Sequence, residues 1–333
     1  MAGPWANWPD RQSRLGAPIS ELLSARPPVS PSLNAGVVGA GSFGGHHARK
    51  YAALDGVKLI GVFDPDAGRA AALADSLGVA AFDELKALLD RVDVITVASP
   101  ASTHAETALA VLDAGKSVYV EKPLATSLED ADRLVAMAAK KGVVLACGHQ
   151  ERIVSRAIGL LDLPEAPLFL ESVRFQAWAS RNTDVSCVLD LMIHDIDLAL
   201  AMSAAEPLTV EAAARITHGP FIDEATAEIT LGDGATLKLC ASRIADERER
   251  RMRIVLPSGE IEVDFVARTF VNTTPFDLNP DFNETPAGRD PLGASVAAFL
   301  AAVRGEADRP AVTGEEAARA LDLALAVEMA AGY

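Results

Sequence analysis

The chain has 333 residues, half of them hydrophobic and 23% charged, the balance of a soluble globular protein of about two domains. A formal charge of −16 argues against a general nucleic-acid or anionic-membrane surface, yet leaves room for a small anionic ligand held by a local group of arginines. Cys147, Cys187 and Cys240 lie far apart and form no Cys-x-x-Cys pair, so no disulfide scaffold or zinc knuckle is indicated and a reducing cytoplasm is expected.

Residues 1–34, "MAGPWANWPDRQSRLGAPISELLSARPPVSPSLN", are rich in Pro, Ser and Arg and read as a flexible extension without the apolar centre of a secretory signal. No run along the chain is apolar for long enough to span a membrane. From Ala35 the pattern changes. "AGVVGAGSFGGHHARKYAAL" reads as strand, glycine turn and helix, and "VKLIGVFDPD" as a strand ending in Asp64. Helices are expected over "AGRAAALADSLGV" and "AFDELKALLD", a strand over "VDVITVASP" and a helix over "STHAETALAVLDAG". "SVYVEKP" reads as a strand, "SLEDADRLVAMAAKKG" as a helix opened by Ser127, and "VVLACGHQ" as a strand. Such alternation predicts a doubly wound parallel sheet covered on both faces, over residues 35–150.

Residues 151–333 follow another grammar. Strand-like runs, among them "LFLESVRFQAW", "ATAEITL" and "EIEVDFV", follow one another with hairpin turns at Asp233-Gly234 and Ser258-Gly259. Two alanine-rich helices close the chain. This is an α+β domain with an open, mostly antiparallel sheet, and a sheet face without helices to cover it predicts a homodimer or homotetramer. Within this half, "CVLDLMIHDIDLAL" is apolar nearly all round but carries Asp190, His194 and Asp197. On an ideal helix these three fall within an arc of roughly 60°. A polar stripe on a buried rod marks either a satisfied helix end or a reactive face.

The turn "GAGSFG" places Gly39, Gly41 and Gly44 between a strand and a helix, with Asp64 ending the next strand. This is the context in which a glycine-rich loop binds a dinucleotide: the glycines permit a tight turn and close approach of a pyrophosphate to the helix N-terminus, and the acid takes the ribose hydroxyls. Asp64 favours NAD over NADP because it repels a 2′-phosphate. Lys122, in "VEKPL", follows a strand end on the same side of the sheet.

The ordered set "GAGSFG", "SPASTHAE", "EKPLATS", "GHQER" and "LDLMIHDIDLAL" resembles the Gfo/Idh/MocA family of NAD(P)-dependent sugar and cyclitol oxidoreductases, from about Val37 to the closing helices. The resemblance implies that Lys122, Asp190 and His194 form the catalytic set. His194 is implied as general base, Asp190 as the group that orients the hydroxyl or His194, and Lys122 as the stabiliser of alkoxide charge. It implies a cofactor site at Gly39, Gly41, Ser42, Phe43, Gly44 and Asp64, continued by Ser99, Pro100, Thr103, His104, Glu121 and Lys122. No metal site is implied. Within the family the likeness is greatest to the nucleotide-sugar branch, which includes enzymes that oxidise C3 of UDP-N-acetylglucosamine ahead of transamination in lipid A or surface-polysaccharide synthesis. A UDP group needs cations, and Arg152 and Arg181 occupy the segments expected to supply them. The alternatives are a dehydrogenase of a free aldose or inositol, and a non-catalytic NAD-binding sensor.

Overall fold

Six short strands, each followed or preceded by a helix, order themselves into one parallel sheet. The computed structural model describes residues 32–179, 183–203 and 205–333. Most of the expected N-terminal extension, and Arg181, lie outside the described residues. The strands are β1 (Leu33–Val38), β2 (Val57–Phe63), β3 (Ala80–Phe82), β4 (Val94–Val97), β5 (Ser117–Val120) and β6 (Leu145–Cys147). They stand in the order β3-β2-β1-β4-β5-β6, all parallel. Between them run α1 (Ser42–Ala53), α2 (Ala67–Leu77), α3 (Leu85–Leu89), α4 (His104–Asp113) and α5 (Leu128–Lys141). Every residue of β4 and β5 is buried, as expected for strands covered on both faces. The order reverses between β1 and β4, where a crevice opens at the carboxyl ends of the strands.

One local expectation fails here. A single helix was expected over residues 81–90, but Ala80–Phe82 form β3 and only Leu85–Leu89 are helical. Pairing of Ala80–Phe82 with Gly61–Phe63 of β2 overrides the local preference of an alanine-rich run.

The second sheet is built from β7 (Phe169–Phe175), β8 (Pro207–Arg215), β9 (Glu224–Leu231), β10 (Thr236–Ser242), β11 (Glu249–Leu256), β12 (Gly259–Asp264) and β13 (Thr269–Asn272). Their order is β13-β12-β11-β7-β10-β9-β8. Every neighbouring pair is antiparallel except β7 and β10, which run parallel. The hairpin at Asp233-Gly234 falls where expected, whereas the second turn is Pro257-Ser258, one residue earlier than expected, with Gly259 already paired to Leu256 in β12. Helix α6 (Glu151–Ile158) leads in, and α7 (Ile193–Met202) follows a π-helical turn over Val188–Met192. Helix α10 (Gly314–Ala330), opened by a reciprocal capping box between Thr313 and Glu316, packs against α5, α7 and β8.

One helix crosses the expected division at residue 150. After α8 (Pro286–Arg289), helix α9 (Pro291–Val303) returns to the first sheet. Its Val296, Phe299 and Leu300 are buried in one cluster with Ala35, Val37, Tyr51 and Tyr119, and the Tyr119 hydroxyl meets Ser295 Oγ at 2.9 Å. The open face of the β7–β13 sheet is expected from the sequence to be a broad apolar patch. Instead a cross-strand row runs Val271, Glu262, Arg253, Glu171, Lys238, Glu228, Glu211 from one edge to the other. Strand alternation sends Leu170, Ser172 and Arg174 of β7 inward and leaves Glu171 outside.

Candidate active site

The glycine turn shows why each glycine is there. Gly39 has φ +96°, and a Cβ on it would come within 2.6 Å of the Ala98 carbonyl oxygen. A Cβ on Gly44 would lie 1.7 Å from Gly39 O, so α1 can sit against the turn only without a side chain at Gly44. A Cβ on Gly41 would meet nothing within 4 Å. Gly41 is also the N-cap of α1, which has no side-chain cap and no acid in its first turn. A helix N-terminus with free N–H groups facing open space fits a pyrophosphate.

Asp64 closes this turn from β2. Its Oδ2 accepts the Ala40 N–H at 2.7 Å; its Oδ1 accepts the Asp66 N–H at 2.8 Å and an N–H of Arg69 at 3.0 Å. Burial opposes its charge, but these hydrogen bonds and the Arg69 guanidinium prevail and hold its pKa below the ordinary carboxylate range. Asp64 thus fixes the loop as well as facing the cleft. Arg69, whose side chain is 60% exposed, pairs with Asp64 and Asp66.

The loops after β4 and β5 form the next wall. His104 Nδ1 lies 2.7 Å from Pro123 O and Nε2 2.9 Å from Ser99 O, tying the two loops together. Burial pushes the His104 pKa down against the pull of these carbonyls. Thr103 Oγ1 lies 2.8 Å from both Ser99 Oγ and Pro100 O, so it braces the loop and does not line the cleft. Buried Glu121 accepts from His47 Nε2 of α1 at 2.7 Å and from Gln150 Nε2 at 3.2 Å. Burial raises its pKa, but His47 and the neighbouring cations outweigh it and hold the group low.

Lys122 reaches from the end of β5 to the π-helical turn. Its Nζ donates to Asp190 Oδ1 at 2.6 Å and to Asp190 O at 2.7 Å. An ammonium has three donors, and two are committed here. His194, one turn on, sits edge-on to His149 with ring centroids 6.1 Å apart. Among the described residues His194 Nδ1 and both ring nitrogens of His149 are buried without a hydrogen-bond partner. Burial lowers the His194 pKa well below its ordinary value, and Arg174, Lys122, His149 and Arg250 push it further down. Its ring is therefore neutral at neutral pH. Gly39, Gly41, Ser42, Phe43, Asp64, Ser99, Pro100, His104, Glu121, Lys122 and Asp190 line one cleft together with Arg69, Ala98, Ala101, Pro123, Asp184 and Val185; Gly44, Thr103 and His194 are not among its lining residues.

The carboxylates of the 187–200 stretch divide differently from an ideal helical stripe, because the π-helical turn alters the angular spacing. Asp190 takes Lys122. Asp195 takes Arg174 through two hydrogen bonds of 3.0 and 2.8 Å. Asp197 takes Arg152 through two of 2.8 and 2.7 Å. This corrects the reading of Arg152 as a cation for a substrate phosphate. It is 5% exposed and held by Asp197 and, at 2.9 Å, by Glu316, so its donors are spent inside the fold. Sequence reasoning missed His47, His149, Gln150 and Arg174. Arg174 had a legible signal: it shares strand parity with buried Leu170 and Ser172, so a cation there needs a buried anion.

The fold and cleft define an oxidoreductase with an NAD-binding Rossmann domain. The model of the Gfo/Idh/MocA oxidoreductase family, NAD-binding Rossmann fold, matches residues 33–149, and that of the Gfo/Idh/MocA C-terminal domain matches residues 168–262. The chain belongs to this family. It is 38% identical over 308 residues to the UDP-N-acetylglucosamine 3-dehydrogenase of Acidithiobacillus ferrooxidans, covering 90% of this chain and 97% of that one. A solved structure of that organism's UDP-N-acetylglucosamine 3-dehydrogenase GnnA superposes with a TM-score of 0.82 at 37% identity, again over 90% and 97% of the two chains. The scyllo-inositol 2-dehydrogenase (NAD(+)) of Bacillus subtilis is 28% identical over 271 residues, 74% of this chain and 79% of that one.

Proposed function

We propose that the protein oxidises C3 of a UDP-N-acetylhexosamine, with Lys122, Asp190 and His194 as its catalytic residues. The observation that carries this reading is that Lys122 and Asp190 line the same cleft as Gly39, Gly41 and Asp64, so a hydroxyl held by the ammonium lies on the cofactor side of the sheet. The similarity to the Acidithiobacillus enzyme along nearly the whole chain favours a nucleotide sugar over a free aldose or inositol.

NAD, when bound, would supply the hydride acceptor. The chain's own residues handle the proton and the charge. His194, kept neutral by burial and by surrounding cations, takes the hydroxyl proton as general base, a role worth about 10²–10⁴-fold in rate. Lys122 donates to the oxygen as negative charge develops on it. Asp190 holds the ammonium in place. Gly41 and the first turn of α1 would hold the pyrophosphate, and Asp64 would take the ribose hydroxyls. The product, a 3-keto sugar, is the carbonyl that a transaminase in lipid A or surface-polysaccharide synthesis requires, and we place the reaction in the cytoplasm. A homodimer or homotetramer through the open sheet completes the proposal. A two-fold axis running between β7 and β11 along the strands would set Glu171 against Arg253 and Lys238 against Glu262 of a second copy.

The test is NADH formation from UDP-N-acetylglucosamine, N-acetylglucosamine and inositols, each with NAD. Turnover confined to the UDP-sugar is the expected result. Turnover of a free aldose or an inositol without turnover of any UDP-sugar overturns the proposal, and failure to reduce NAD with every polyol and nucleotide sugar tested would favour a sensor.

A further inference from the structure

A second cavity, of about 380 Å³, lies between α6, strands β11 and β12 with the turn after β12, and the start of α9. That size is within the range of small-molecule sites. Six charged residues line it: Glu151, Arg248, Arg250, Asp264, Arg268 and Asp290. They look balanced until their partners are counted. Asp264 Oδ1 accepts the N–H groups of Val266 and Ala267, and Oδ2 lies 3.5 Å from Arg251. Asp290 is bound by Lys50 at 2.7 Å and caps α9 through Gly293 N–H. Glu151 lies 2.8 Å from Arg174 and only 3.6 Å from Arg250. Each acid is therefore engaged by a cation outside the cavity.

The arginines are not neutralised to match. Arg268 donates to Asn283 Oδ1 and Gly288 O, both neutral, and its guanidinium stacks over Phe282 at 5.7 Å. Arg248 is exposed and has no ion pair or hydrogen bond among the described residues. In a chain of net charge −16 this is a local excess of positive charge in a concave site. Guanidinium groups suit phosphate oxygens because their planar donors bind two at a time and are weakly hydrated.

The place of the cavity matters as much as its charge. Gln150 lines it and donates to Glu121, the residue before Lys122 on the cleft wall. Arg250 pairs across the ladder with Arg174, which holds Asp195, the neighbour of His194. Contacts thus connect the cavity to Glu121 and Asp195, the sequence neighbours of Lys122 and His194. In a sugar nucleotide only C2, C1 and one bridging oxygen separate C3 from the nearer phosphorus, so a diphosphate must lie close to the base.

We propose that this cavity binds the diphosphate of the nucleotide-sugar substrate, with Arg248 and Arg250 as its ligands. The inference rests on the nucleotide-sugar reading above. It is tested by calorimetric titration of the full-length protein, with NAD present, using UDP, inorganic pyrophosphate and uridine as probes. UDP and pyrophosphate should bind and compete, uridine should bind far more weakly, and affinity should fall with added salt. Arg248→Ala and Arg250→Ala should each raise the Kd for UDP about ten- to a hundredfold, the worth of a charge-assisted hydrogen bond, with the Kd for NAD unchanged. Arg248 is exposed and unpaired, so its removal keeps the test valid should Arg250→Ala disturb the fold. An unchanged Kd for UDP in Arg248→Ala, or no binding of UDP to the unmodified protein, overturns the site. The two readings fail separately. UDP-sugar turnover with an unchanged KM in both variants leaves the function standing and removes the site. Arginine-dependent UDP binding without UDP-sugar turnover does the reverse.

Discussion

Lys122 and Asp190 are joined twice, through the Asp190 carboxylate at 2.6 Å and its main-chain oxygen at 2.7 Å. Their side chains are only 12% and 6% exposed. One contact therefore links the end of a Rossmann strand to the π-helical turn of the second half, and it supports both structure and chemistry. Lys122→Met should lower single-turnover NADH formation by about 10²–10⁴-fold, and it should also lower the melting temperature, since a partner removed from a buried pair costs about 3–5 kcal/mol. Adding Asp190→Asn should restore part of the stability and none of the rate. His194→Asn should show the rate loss with NAD binding retained. Near-normal hydride transfer by folded His194→Asn would remove it as the base.

Arg152 behaves differently in this structure from a substrate ligand. With Asp197 fully buried beside it, Arg152→Ala should cost about 3–5 kcal/mol of stability, read by urea denaturation. The affinity of the remaining folded protein for UDP should not change. A variant of normal stability with weakened UDP binding would return Arg152 to the substrate site.

Asp64 carries two tasks, and both should show on substitution. Asp64→Ser should narrow the preference for NAD over NADP. It should also weaken binding of both cofactors, because the Ala40 N–H loses its carboxylate partner. Calorimetric titration of each cofactor tests this, and an NADP preference in the unmodified protein would contradict it.

The buried histidines set the response to acid. His149 and His194 both have their pKa lowered from 6.5, first by burial. Below 6.5 the unfolded chain binds protons there that the folded chain does not, so stability is present above that pH and is lost as pH falls through and below it. Each group contributes at most about 1.4 kcal/mol per pH unit. A second loss follows at lower pH, as Asp64, Glu121 and Glu151, all held below their ordinary values, are forced to protonate. The acid limb of kcat/KM should likewise lie below 6.5. A melting temperature that rises on acidification from about pH 7 would contradict this linkage.

Assembly should depend on charge more than on apolar area. Glu171 is paired in the ladder with Arg253 on one side and Lys238 on the other. Lys238→Glu should weaken the oligomer by placing like charges together. A monomer mass by light scattering at micromolar concentration for the unmodified protein would remove the proposed oligomer.

The parallel sheet was legible because both of its signals are local. Apolar runs such as "VDVITV" alternate with helical segments, and glycine at positions 39, 41 and 44 answers a steric demand made by its near neighbours. Lys122, Asp190 and His194 were legible as unusual residues in apolar settings and through the family pattern. Residues 81 and 82 belong to a strand in place of the expected helix because that strand exists only by pairing with β2.

The sequence by itself thus determined the class of fold, the glycine turn with its acid, and the candidate reactive groups. These follow from backbone sterics and from periodicities of a few residues. Only the tertiary structure decided which charge meets which. Arg152 and Asp197 are 45 residues apart, Lys122 and Asp190 are 68, and Lys50 and Asp290 are 240. Buried charges must find partners wherever packing brings opposite charges together. That requirement, absent from any short stretch of sequence, turned Arg152 inward and left Arg248 exposed at the second cavity.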